Sequence, residues 1–162
     1  MDRYIQAHGQ RLFGLCLTLC AHRQDAEDLY QDTWLKALAH FHQYDPARPF
    51  EPWLTRICVN TYRNTLRRLA RSPIFHGFRT GEEKEALLAS VPAPSPSDYT
   101  PLYQAVAGLP EKLRVTVILY YFEENDVNTT AQVLGIPPGT VKSRLNKART
   151  KMKEVLDDDT IL

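Results

Sequence analysis

No apolar run in this chain approaches the roughly 20 residues that a membrane-spanning helix needs. The opening MDRYIQAHGQ also lacks the apolar core of a signal peptide. The expectation is a cytoplasmic protein that does not insert directly into a membrane. Cysteine is scarce, and its number is odd: Cys16, Cys20 and Cys58. Each falls at an apolar position of a helical pattern, which excludes a disulfide framework and implies reduced, packed thiols. Cys16, Cys20 and His22 are spaced as metal ligands could be, but no fourth ligand accompanies them, and Leu12, Leu15 and Leu19 around them read as core. No metal is assigned. His40 and His42 fall at a helix end, where a cation suits the helix dipole. A glycine-rich phosphate loop is missing, and so is any nucleophile paired with a base at informative spacing. The expectation is no catalytic residue, no cofactor and no enzymatic activity.

Net charge is also nearly absent, at +1 from 20 basic and 19 acidic residues. That average hides segregation. From Trp53 to Pro73 the chain carries Arg56, Arg63, Arg67, Arg68 and Arg71 without an acid, whereas Asp25 to Asp32 holds Asp25, Glu27, Asp28 and Asp32 without a base. Between Thr140 and Lys153 there is again no acid. Two basic surfaces and one acidic surface suit a protein that touches nucleic acid twice and something else with the third.

What is present is helix, organised around Asp126 to Met152, DVNTTAQVLGIPPGTVKSRLNKARTKM. Ala131 is small where two crossing helices would touch, Gly135 supplies the turn, and Val141 fills the core after it. Asp126 can cap the first helix, and Gly135 sits where a left-handed C-terminal residue is wanted. Pro137-Pro138-Gly139 blocks continuation, so a second helix is expected to begin near Thr140. This is a helix-turn-helix pattern. Its second helix buries Val141, Leu145, Ala148, Met152 and Val155, while Lys142, Asn146, Arg149 and Lys153 share an outer ridge flanked by Ser143, Arg144, Lys147 and Lys151. Short polar and basic side chains on the first turns suit base edges, and the later ones suit phosphates.

Three helices are expected before it. Tyr4 to about His22 is an amphipathic scaffold helix with Ile5, Leu12, Phe13, Leu15, Cys16 and Leu19 inward. Gln24 to about His42 turns Ala26, Leu29, Tyr30, Thr33, Ala37 and Leu38 inward and gathers Asp25, Asp28, Gln31 and Asp32 on another side. After the turn Tyr44-Asp45-Pro46-Ala47-Arg48-Pro49, a helix from Trp53 to Leu69 buries Leu54, Ile57, Cys58, Thr61, Tyr62, Leu66 and Leu69. Arg56, Asn60, Arg63, Arg67 and Arg71 line its exposed ridge, with Asn64 beside it. The arginines can track a phosphate backbone and the asparagine amides can read base edges, in a duplex or on an unstacked strand.

Ser72 to Pro101 is rich in proline, glycine and serine and reads as a tether, with a short helix at Glu82 to Ala89. Its length argues for two domains. Leu102 to Gly108 and Pro110 to Phe122 are two more helices, with Leu102, Val106, Leu109, Leu113, Val117, Ile118 and Tyr121 as their apolar set, and Asp157-Asp158-Asp159 begins a frayed tail. The expected fold is all-α: a helical domain at 1–71, a flexible linker at 72–101, a helix-turn-helix domain at 102–157 and a tail at 158–162.

Three stretches in this order resemble a sigma factor of bacterial RNA polymerase, in the extracytoplasmic-function (ECF) group of the sigma-70 family: DAEDLYQDTWLKAL, RPFEPWLTRICVNTYRNTLRR and LPEKLRVTVILYYFEENDVNTTAQVLGIPPGTVKSRLNKAR. The resemblance implies that Asp25, Asp28, Gln31 and Asp32 dock on the clamp helices of the largest subunit of core RNA polymerase. It implies that Arg56, Asn60, Arg63, Asn64 and Arg67 serve the -10 promoter element, where the strand is opened and a base is held out of the stack, with Asn60 and Asn64 closest to the base-contacting positions. It further implies that the helix-turn-helix enters the major groove of the -35 element. Lys142, Ser143, Asn146 and Lys147 would then lie nearest the bases, and Thr140, Arg144 and Arg149 nearer the backbone. By the same resemblance the linker threads the polymerase toward its RNA exit path, and an anti-sigma factor is a candidate partner. In the free protein the two DNA-binding domains can pack together and mask both basic surfaces. The chain departs from the family pattern where a Leu-Ser pair and an Ile usually precede the helix-turn-helix; here Asn125-Asp126 and Thr130 stand instead. The alternative is a stand-alone dimeric helix-turn-helix regulator, which leaves the acidic helix and the Arg/Asn ridge without a task.

Overall fold

The computed structural model describes residues 1–71 and 100–160, with side chains as far as 156 in the last helix. The expected helix at Glu82 to Ala89 lies outside the described residues. Helices α1 (Asp2–Leu19), α2 (Arg23–Ala39) and α3 (Phe50–Ala70) form an N-terminal bundle, with a 3-10 turn at Phe41–Gln43. Four more follow: α4 (Thr100–Ala107), α5 (Glu111–Val117), α6 (Val127–Leu134) and α7 (Pro138–Thr160). Between α5 and α6 the chain loosens into a π turn at Ile118–Phe122.

Leu12, Leu15, Cys16 and Leu19 of α1 close on Ala26, Leu29, Thr33, Trp34 and Ala37 of α2 and on Leu54 and Cys58 of α3. The three cysteines are free and buried, with Cys16 Sγ 3.8 Å from Cys58 Sγ. The neighbouring Cys58 and burial push the Cys16 thiol up, and burial pushes Cys20 up to about 12, so neither offers a thiolate at neutral pH. The turn ahead of α3 is held by the Tyr44 hydroxyl donating to the Arg48 carbonyl at 2.6 Å and by Asp45 Oδ1 accepting from the Ala47 N–H at 3.0 Å. Tyr44, Phe41, Phe50 and Trp53 pack there edge-on and tilted around one another, which makes Trp53 part of this cluster.

The helix-turn-helix forms as its local signals dictate. Asp126 Oδ1 accepts from the Thr129 N–H at 2.6 Å, and these hydrogen bonds hold its carboxyl below the usual aspartate range. Gly135 takes the left-handed conformation, φ 68 and ψ 35, that ends α6. The second helix starts at Pro138, earlier than expected, because a proline in the first turn gives up only an N–H that has no partner there anyway.

Several expectations need correcting. Leu38, Leu69, Leu102, Tyr121 and Val155 were assigned to the core and are exposed, and Ile5 stands at the surface as well. The last helix runs to Thr160, so the backbone of the three aspartates is helical rather than frayed. Helix α4 includes Thr100 and Pro101, which the sequence pattern places in the linker. Glu124 adopts a positive φ of 56 in the loop before α6, a conformation that costs a side chain with a Cβ.

Thr130 is fully buried, and its hydroxyl has no hydrogen-bond partner. Thr130→Val keeps the shape and removes the unsatisfied group. It should raise stability by about 1 kcal/mol, read as a higher urea midpoint at unchanged slope.

Candidate nucleic-acid and polymerase interfaces

Asp25, Asp28, Gln31 and Asp32 are all exposed on one side of α2. Leu35 and Leu38, 64% and 58% exposed, continue that side toward the helix C-terminus. Helical spacing from Asp28 and Gln31 brings these leucines beside the acids, so the surface is acidic at one end and apolar at the other. The leucines were not picked out as contacts from sequence, because an apolar residue type does not reveal what covers it.

On α3, Arg56, Asn60, Asn64 and Arg67 are exposed, and Arg67 Nη1 lies 3.5 Å from Asn64 Oδ1. Arg63 departs from this ridge: it is half-buried, with Nε 3.1 Å from Glu111 Oε1 of α5. On α7, Lys142, Ser143, Asn146, Lys147 and Arg149 are exposed, and Thr140 is half-buried. Arg144 is half-buried too, and burial together with the nearby Arg63 guanidinium pulls its pKa down, with Glu111 acting in the opposite sense. Arg149 Nε donates to the Tyr121 hydroxyl at 2.8 Å, and its Nη1 donates to Asn146 Oδ1 at 3.2 Å.

The two halves pack against each other through α6 on α3. Val59 is fully buried and Thr55 nearly so, both outside the expected core face of α3, the helix that packs on α6. Arg114 of α5 is 8% exposed, donates through Nη2 to the Tyr62 hydroxyl, and has its guanidinium 5.8 Å from the Tyr62 ring centre. Burial pushes the Tyr62 hydroxyl up to about 12 despite the Arg114 charge. Arg11 of α1 bridges Glu51, 2.6 Å away, and donates to the Glu123 carbonyl at 2.8 Å. Arg63, Thr140 and Arg144 are half-buried and the other candidate DNA residues are exposed, so the expected masking of both basic surfaces is only partial. A groove of about 610 Å³ lies between the halves, floored by Leu17, Leu66, Val106 and Phe122 and rimmed by Asp28 and Asp32. Among the described residues, no group of three or more His, Cys, Asp or Glu could hold a metal ion, and no helix is long and apolar enough to cross a membrane.

Two family models match this chain, sigma-70 region 2 over residues 4–72 and sigma-70 region 4 over residues 99–152. The chain belongs to the sigma-70 family, in its ECF group. The ECF RNA polymerase sigma factor SigW of Bacillus subtilis is 24% identical over 95% of this chain and 87% of its own length. The RNA polymerase sigma factor CnrH of Cupriavidus metallidurans is 28% identical over 95% of this chain and 82% of its own. The structure of CnrH with the cytosolic domain of CnrY superposes with a TM-score of 0.68 at 26% identity, covering 98% of this chain and 88% of that one. The sigma factor RpoE of Bartonella quintana, solved with the anti-sigma factor NepR, shares the fold with a TM-score of 0.76 at 23% identity, over 96% of each chain. The two matched regions coincide with the two packed halves described above.

Glu111→Lys sets a cation against Arg63 and Arg144 at the junction. It should part the two halves, read as a larger radius of gyration in small-angle X-ray scattering and faster amide exchange around Val59, with the helical circular dichroism of the wild type retained.

Proposed function

We propose that this sigma factor binds core RNA polymerase through α2 and directs promoter-specific initiation by reading the -10 element with α3 and the -35 element with α7. The observation that carries the reading is the exposed acidic and apolar side of α2 in a chain that also bears a helix-turn-helix. A dimeric operator binder has no use for such a surface, whereas a subunit that must attach to a polymerase has. Asp25, Asp28, Gln31 and Asp32 supply charge complementarity toward a basic helical partner, the clamp helices, and Leu35 and Leu38 supply apolar area beside them.

Asn60 and Asn64 are suited to hold an unstacked base of the -10 element, with Arg56, Arg63 and Arg67 on its phosphates. Capture of a flipped base requires no catalytic group, since binding energy offsets a few kcal/mol of unstacking. Lys142, Ser143, Asn146 and Lys147 are suited to base edges in the -35 major groove, with Thr140, Arg144 and Arg149 toward the backbone. The chemistry of RNA synthesis belongs to the polymerase. Work on chromosomal promoters puts the protein in the cytoplasm, at the nucleoid when active. Because CnrH was solved with the cytosolic domain of CnrY and RpoE with the anti-sigma factor NepR, we assign the interdomain groove, lined by apolar side chains together with Asp25, Asp28, Asp32 and Arg68, to an anti-sigma factor.

Geometry makes domain separation part of the task. The two elements lie about 25 base pairs apart, or about 85 Å at 3.4 Å per pair. A compact chain of this length has a diameter of only about 40 Å. The α3–α6 contact must therefore part on the promoter, and freeing Arg63 from Glu111 is one consequence. Residues 72–99, fully extended, reach about 90 Å, enough for the span.

Run-off transcription with purified bacterial core polymerase on a promoter library, with and without the protein, tests the reading. New start sites and open complexes support it; operator binding by the protein alone, without core binding, moves the assignment to the dimeric regulator. Asp28→Ala with Asp32→Ala should weaken core binding by about tenfold, an effect that fades at high salt, and leave binding of the C-terminal half to duplex DNA unchanged. Equal loss of both would sink the assignment of faces.

A further inference from the structure

Tyr121 lies outside the helix-turn-helix, on the π turn ahead of it, and is an aromatic side chain left 48% exposed. Its hydroxyl accepts from Arg149 Nε at 2.8 Å, while the Arg149 guanidinium carbon stands 5.7 Å from the ring centre. Two different interactions thus hold one guanidinium against one phenol. The same guanidinium donates through Nη1 to Asn146 Oδ1 at 3.2 Å. Arginine has donors only, so the amide can face it only with its oxygen. That orientation turns the Asn146 amide nitrogen, with its two N–H donors, away from Arg149.

We propose that Tyr121 is a specificity-determining positioning residue of the -35 interface: through Arg149 it fixes Asn146 as a donor, so that Asn146 selects an acceptor edge, guanine N7 and O6, over adenine. This rests on the -35 role assigned to α7. An unconstrained asparagine pairs with adenine, its oxygen accepting from N6 and its nitrogen donating to N7. Here one of the oxygen's two lone pairs is held by Arg149, which turns the oxygen toward the guanidinium and leaves the amide nitrogen to face the base edge, and the fork of donors that holds it is itself set by the phenol. The Tyr121 hydroxyl, which accepts from Arg149, retains its own proton for a DNA phosphate. The π turn is what places this tyrosine: with five-residue hydrogen bonding, Glu123 N–H reaches the Ile118 carbonyl at 3.0 Å, and the ring is carried over the second helix.

The test uses the full-length protein as holoenzyme, transcribing promoters that carry each of the four base pairs at every -35 position. Tyr121→Phe keeps the ring and removes the acceptor. The expected result is a fall of about five- to tenfold, the low end of what one base discrimination is worth, in the preference for guanine over adenine at one base pair. That pair should be the one whose discrimination Asn146→Ala abolishes, and the double variant should be no worse there than Asn146→Ala alone. Arg149→Lys, which keeps the charge and loses the fork, should shift the same base pair in the same direction. A uniform loss at all promoters, unchanged base preferences, or a shift at a different base pair overturns the proposal. Failure of the wild type to initiate at any promoter instead overturns the -35 reading beneath it, a distinct outcome, and takes this inference with it.

Discussion

The relation between the two halves of the protein turns on one buried guanidinium. Arg114 is a cation, yet it is 8% exposed, with its Nε unpartnered and the Tyr62 hydroxyl and ring as its neighbours across the junction. An apolar side chain there would make the junction tighter. A charge that regains full hydration when the halves part lowers the cost of parting, and the half-buried Arg63–Glu111 pair does the same more weakly. The contact is therefore strong enough to order α6 on α3 and polar enough to be exchanged for polymerase and promoter. This matches the usual character of interfaces between domains that move relative to one another.

How much of this could be read from the sequence depended on how local the cause was. The turn of the helix-turn-helix is set by Asp126, Gly135 and the two prolines, all within a dozen residues of one another, and each behaves as its own chemistry requires. The four α2 residues singled out as a docking surface are exposed together because one periodicity governs them all. The burial of Arg114 is not legible in its own segment because its neighbour Tyr62 belongs to the other half of the chain, and no helical pattern within one segment carries that information. The reverse error has the same origin: Leu38, Tyr121 and Val155 fit an apolar stripe, yet they stand exposed in the folded chain. Thr130 shows a third case. The departure from the family's usual residue was visible, but only the packing reveals that its hydroxyl is enclosed without a partner.

Those exposed apolar residues divide by what surrounds them. Leu35 and Leu38 adjoin the exposed carboxylates of α2, the setting of a protein-binding surface where charge guides approach and apolar area holds. Tyr121 adjoins Arg149 and Asn146, donors and an amide rather than acids, the setting of a nucleic-acid surface. The distinction between the two proposed interfaces is thus carried by the polar neighbours and not by the apolar residues themselves. It follows that a substitution reversing the charge around Leu35 would damage polymerase docking even with the leucine intact, whereas an apolar substitution of Tyr121 would spare the local fold and alter only what Arg149 and Asn146 can present to DNA.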